Sequence, residues 1–222
     1  MIKFFIRCLA GILLVNGGWV LGQEKHEPAV LFLYTNNVVM SDNIREEVSV
    51  YDKEIEITDE VRKGYVQDNL SQNWKIIRNK ELEFIKKQDF ATLLLITLSR
   101  ELAYKEIENH ENLLIYAVKE TATTDKAQYK ALTDKHKMSW LVNIPTVELI
   151  EEGGTKRLVL TVQLYNAKTG WLFLDTSYKA DSSEIDLTAC EEGIWYCLIQ
   201  KIKIPITRDV ADKVDRNRHH HK

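Results

Sequence analysis

The chain has 222 residues, enough for one domain with a proper core and too few for two. Hydrophobic content of 45% and charged content of 28% exclude a chain disordered over most of its length. A formal net charge of −3 argues against nucleic acid as a main partner, because phosphate neutralisation needs clustered Lys and Arg.

Lys3 and Arg7 flank the start of a short apolar run over 8–15, which Asn16-Gly17-Gly18 breaks. Val20-Leu21-Gly22 then places small or apolar residues at −3 and −1 before Gln23. That layout predicts a cleaved secretory signal peptide over residues 1–22, and hence an exported protein, periplasmic or secreted. Its removal takes the formal charge from −3 to −5, since Lys3 and Arg7 leave and no acid does. No later stretch reaches about 18 uninterrupted apolar residues, so no transmembrane segment is expected beyond it.

Residues 29–34 form a near-continuous apolar run, the pattern of a strand buried on both faces. Over 47–57 apolar and polar residues alternate, but the parity slips between Val50 and Ile55, which predicts two short strands around a turn at Asp52-Lys53. From Thr58 the period becomes helical, with Val61, Tyr65, Leu70, Trp74 and Ile77 on one broad face. A second helix is expected over 89–109, carrying Phe90, Leu94, Leu98 and Leu102 at spacings of four. Residues 113–118 read as another buried strand, and Asp125 with Gln128 three residues on opens a helix through Lys137.

Three strands follow. Trp140, Val142 and Ile144 alternate in the first, where Pro145 implies an edge or a bulge. Residues 151–154 (Glu-Glu-Gly-Gly) make a hairpin turn, and Leu158, Leu160, Val162 and Leu164 alternate in the second strand. Residues 166–170 (Asn-Ala-Lys-Thr-Gly) turn again before Trp171 and Phe173. A last helix is expected from about Leu187, with Cys190 and Cys197 on its apolar face and Pro205 ending or kinking it. On one helix the two cysteines lie about 10 Å apart, so they read as small core residues, a bridge requiring a non-helical arrangement.

The order predicts an α+β fold: a mixed β-sheet with helices packed on one side, a C-terminal three-strand antiparallel meander and a closing helix. The domain covers 23–206, with 36–98 as an insertion or extension within it. Residues 207–222 read as a polar tail, including Lys213, Arg216, Arg218 and Lys222.

Motifs for chemistry are sparse. After residue 22 only Gly64, Gly153, Gly154, Gly170 and Gly193 remain, and none forms a phosphate-cradling loop. No serine sits in a G-x-S-x-G elbow, and neither later cysteine has a nucleophile's context. His26 and His136 read as solvated, and His110 as a residue just past a helix end. The terminal run His219-His220-His221 could hold a transition metal weakly but reads as tail. Asp52, Glu54 and Glu56 lack the glycine and terminal Glu of a calcium loop, and Glu151-Glu152 reads as a polar hairpin tip. No catalytic residue, metal site or cofactor is expected.

The stretch from Leu132 through Ser139, Trp140 and Ile144, the Gly-Gly hairpin, and the run from Val162 to Gly170 (VQLYNAKTG) together resemble bacterial periplasmic domains of the TolB N-terminal, LpoB and CsgG type. In those domains a helix leads into a strand, and a strand ending in an Asp-containing "tG" turn precedes a further strand; here Asn166 stands where Asp is usual. The resemblance spans 29–34 and 99–200 and leaves 36–98 unexplained. It implies a non-enzymatic envelope protein acting as adaptor or accessory assembly component through contacts with other envelope proteins. Where several relatives carry a lipidated cysteine, this chain has Gln23. Around the turn, Trp171, Tyr165, Lys168 and Thr169 form the candidate partner surface, because exposed aromatics mark interfaces. The rival expectations are a small-ligand or glycan module, which needs a pocket, and an envelope-polymer hydrolase, which needs two converging carboxylates.

Overall fold

A computed structural model of the chain describes residues 29–54, 56, 58, 59, 86–108 and 114–219. The signal peptide, His26, most of the helix expected from Thr58 with Trp74, His110 and His220-His221 lie outside the described residues.

Five strands and a short sixth build one mixed sheet. Strand β1 (Ala29–Tyr34) lies between β5 (Leu114–Thr121) and β6 (Trp140–Glu152), parallel to both. Strands β6, β7 (Thr155–Asn166) and β8 (Trp171–Asp181) form the antiparallel meander, so the order is β5-β1-β6-β7-β8. Two-residue β2 (Val38–Val39) also pairs parallel with β6, beyond the end of β1. A separate ribbon joins β3 (Lys53–Glu54) to β4 (Lys87–Gln88). Helices α1 (Asp42–Val48), α2 (Phe90–Glu108), α3 (Lys126–His136) and α4 (Ile194–His219) complete the α+β fold, with α4 closing the meander.

Alternation along the strands sorts the core into two faces. Val30, Phe32, Trp140, Val142, Leu160 and Leu164 point into the larger core, which Ile44 of α1, Leu94 and Leu98 of α2, and Leu198 and Ile202 of α4 fill from one side. Leu31, Leu33, Leu141 and Tyr165 point the other way, onto Tyr129 of α3. Packing on one side therefore describes α1, α2 and α4, while α3 covers part of the opposite face.

Local chemistry places the ends of the elements. Asp89 caps α2: its Oδ1 accepts from the Thr92 amide at 2.7 Å, and Oδ2 accepts from the Tyr34 hydroxyl at 2.7 Å. Asp125 caps α3 through the Ala127 amide (3.0 Å), and Gln128 reaches the Asp125 carboxylate instead of its backbone amide. Pro145 marks a bulge and not an edge, because β6 is flanked on both sides. It falls between the β1-paired residues 140–142 and the β2-paired residues 147–148, where no ladder amide is needed. Asn37 fills the gap, donating from Nδ2 to the Pro145 carbonyl (3.1 Å) and accepting from the Val147 amide (3.0 Å).

Three expectations are corrected. Residues 42–51 form α1 and a 3₁₀ turn (Ser49–Tyr51) where a first strand was expected, because Ile44 and Val48 at a spacing of four seal the core. The last helix begins at Ile194, after a short 3₁₀ turn (Leu187–Ala189). It then runs through Pro205 to His219, so residues 207–219 are no tail. Ile202, Ile206, Val210 and Val214 are all at most 1% exposed, and this unbroken buried stripe outweighs the roughly 3 kcal/mol a proline costs inside a helix.

The cysteine expectation fails because the helix begins only at Ile194. Cys190 precedes the helix, and Gly193 at φ +93° turns the chain back, bringing the two Cα atoms to 5.9 Å. Cys190 and Cys197 form a disulfide.

Candidate functional site

The β7–β8 turn is built from Asn166 upward. Its side chain is 8% exposed, and its Oδ1 accepts from the amides of Lys168 (2.9 Å) and Thr169 (3.0 Å). Its carbonyl accepts from the Gly170 amide (2.9 Å), and the Ala167 amide donates to the Ser139 carbonyl (2.9 Å). Gly170 takes φ +74°, which an L side chain adopts only with strain. The turn is held at both ends, and an amide or carboxylate oxygen at 166 does equal service as the acceptor.

On this frame the four sequence-selected residues divide. Lys168 and Thr169 are exposed, and Trp171 beside them is 72% exposed, the most exposed of the described large hydrophobics. Tyr165 is 5% exposed and belongs to the α3-side core, its ring edge-on to Tyr129 at 5.6 Å. It supports the turn from beneath and is no surface residue, because strand parity turns it under α3, while the turn carries 168–170 beyond the sheet and Trp171 opens β8 opposite Asn166. Trp140 and Trp195 are at most 3% exposed, so Trp171 is the described tryptophan that meets solvent.

Beneath α3 a polar cluster sits in the second core. The Tyr129 hydroxyl lies 2.8 Å from the Thr123 carbonyl and 2.7 Å from Gln163 Oε1. Asn143 Nδ2 donates toward the Thr123 carbonyl (2.7 Å), Gln163 Oε1 (3.0 Å) and the Tyr129 oxygen (3.0 Å). Gln163 passes the chain on to Asp175 (3.2 Å). Burial raises the Tyr129 pKa against the pull of Asn143, so the phenol stays protonated at neutral pH. Each of these groups is engaged in holding α3 to the sheet.

Titratable groups elsewhere act as ties. His136, expected in solvent, has a side chain only 12% exposed and lies 2.9 Å from Glu120, which Lys135 also reaches at 2.6 Å. Burial opposes ionisation of Glu120, but the hydrogen bonds from Lys135, its own backbone and His136 win and hold its pKa at about 2. Glu151 and Glu152 are exposed at the β6–β7 turn, where Asn43 and Arg157 meet them (3.3 and 3.7 Å). Among the described residues no group of three or more His, Cys, Asp or Glu is placed to hold a metal ion. No described helix is long and apolar enough to cross a membrane.

No known protein family matches the chain, and no curated protein does. Among solved structures, the hypothetical protein CT253 from Chlamydia trachomatis is similar at 13% identity and a TM-score of 0.40, over 85% of this chain and 99% of that one.

Proposed function

We propose that this chain is an exported, non-enzymatic envelope protein that works as an adaptor or accessory assembly component, binding another envelope protein through the β7–β8 turn. The observation that carries the reading is Trp171. A 72% exposed indole stands at the foot of a turn braced by three hydrogen bonds to Asn166, with Lys168 and Thr169 alongside. A large aromatic on a rigid mount loses little entropy on binding, which is the economy of an interface anchor. The resemblance to periplasmic adaptor domains points the same way, and the disulfide fits an oxidising compartment.

A photocrosslinking amino acid at position 168, exposed beside an intact Trp171, in the protein's own cells, tests it. One defined envelope protein should be captured there and not from position 151, on the opposite hairpin tip. Equal capture from both positions would sink the reading.

A further inference from the structure

We infer that two copies of this chain pair edge to edge along β8, antiparallel, about a two-fold axis at Ser177. β8 ends the strand order, and among the described residues its outer edge has no strand beside it. It is 11 residues long, about twice the common strand length. Edges of this length are usually blunted by charges, Lys above all, by proline, by bulges or by inward-pointing charges. β8 has a bulge at Phe173 and the buried Asp181 at its end, but from Leu174 to Ala180 the ladder is regular and free of proline. Its exposed charges, Asp175 and Lys179, are of opposite sign, so they repel most partners and match a second copy.

Register follows from charge. Asp175, Ser177 and Lys179 stand opposite Gln163, Thr161 and Val159 of β7, so they share one face. All three are exposed. An antiparallel pair centred on Ser177 sets Asp175 of each copy against Lys179 of the other, giving two opposite-charge pairs. Centring on Asp175 or on Lys179 sets like charges against each other, which cross-strand neighbours disfavour. On the other face the same register sets Leu174 against Ala180 and Thr176 against Tyr178. The Tyr178 hydroxyl already donates to Asp209 of α4 (2.9 Å), so that ring is fixed before pairing. Within one chain Asp175 accepts from Gln163 (3.2 Å) and Lys179 reaches Asp181 (3.3 Å), both with capacity for a further partner. Backbone hydrogen bonds supply the affinity, and the charged pairs select the partner as a second copy in one register.

Charge reversal tests this on the purified full chain, by sedimentation velocity with circular dichroism as a check on folding. The wild type should dimerise, and D175K or K179D alone should weaken dimerisation about tenfold or more. The double variant D175K/K179D should recover it. Mixing the two single variants should also recover dimers, because a copy with lysine at both positions then faces a copy with aspartate at both. Ser177→Cys should form an intermolecular disulfide on mild oxidation. A wild type that stays monomeric, a dimer indifferent to the single reversals, or a dimer in which S177C does not crosslink would each overturn the inference.

Discussion

The two ends of the meander put similar residues to opposite uses. At the end where β7 begins, an aromatic, a lysine and a glutamate lock together. The Trp195 indole is 1% exposed and donates to Glu47 (2.8 Å), which Lys156 also holds at 2.5 Å while lying 6.0 Å over the indole ring. These contacts, Lys156 first, hold the Glu47 carboxyl below its usual range against the effect of burial. The Tyr51 hydroxyl donates to the Glu192 carbonyl (3.0 Å) and accepts from the Tyr196 amide (3.1 Å), capping α4. The disulfide closes over the same turn. At the far end of β7, Asn166 holds a turn just as firmly, yet Trp171, Lys168 and Thr169 face solvent. Rigidity is common to both ends, and what differs is whether the aromatic has found its partner within the chain.

Breaking the locked end should cost most. Gly193→Ala forces a side chain into φ +93° and brings its Cβ to 2.9 Å of the Tyr51 hydroxyl. We expect a loss of about 3 kcal/mol in urea unfolding, from backbone strain plus the two Tyr51 hydrogen bonds. In a Tyr51→Phe background, where the obstructing oxygen is gone, the same substitution should cost measurably less, and equal costs would refute the clash. Reducing the disulfide, which spans a separation of 7 residues, should lower stability by about 2 kcal/mol through loop-closure entropy. Thermal melts with and without reductant read this directly.

At the open end the effects shrink. Asn166→Ala removes the acceptor for two turn amides and should cost about 1 kcal/mol, whereas Asn166→Asp should stay within about 0.5 kcal/mol. Equal losses would show that the side chain's bulk, and not its oxygen, holds the turn. Trp171→Ala should change stability by less than about 0.5 kcal/mol while abolishing partner capture, since the ring is 72% exposed. A reference lies at neither end, in Glu120. Its folded pKa of about 2 is below the unfolded value, so its contribution is present above that value and lost as pH falls through the folded one. The stability difference between wild type and Glu120→Gln should therefore narrow from about pH 5 downward and be gone only below the folded pKa of about 2. A difference that stays constant across that range would exclude the ion pairs as its source.

Where local pattern and tertiary environment agreed, the fold was legible in the residues themselves. The apolar run 29–34, the four-residue spacing from Phe90 to Leu102, the Asp125 cap, the Gly153-Gly154 hairpin and the alternation of the meander each place their element correctly. Ile206, Val210 and Val214 carry a helical stripe through 207–219, masked in the sequence by Pro205 and the flanking charges. Around residue 50 the alternation was an accident of a helix followed by a 3₁₀ turn, and short apolar spacings do not separate those cases.

For the candidate site, the turn residues were legible because Asn and Gly have local reasons to be there. Which aromatics are exposed was not. Tyr165 and Trp171 are six residues apart in one sequence motif, and only the packing of α3 over the first and of nothing described over the second distinguishes them. By itself the sequence determined most of the element types, the α+β class and the turn chemistry, because these depend on side-chain periodicity and on backbone freedom within a few residues. Only the tertiary structure decided the Cys190–Cys197 bridge, the Glu47–Trp195 lock, the place of α3 and the position of β8 at the end of the described strand order. Those depend on which distant segments the folded chain brings within contact distance, and no local pattern encodes that.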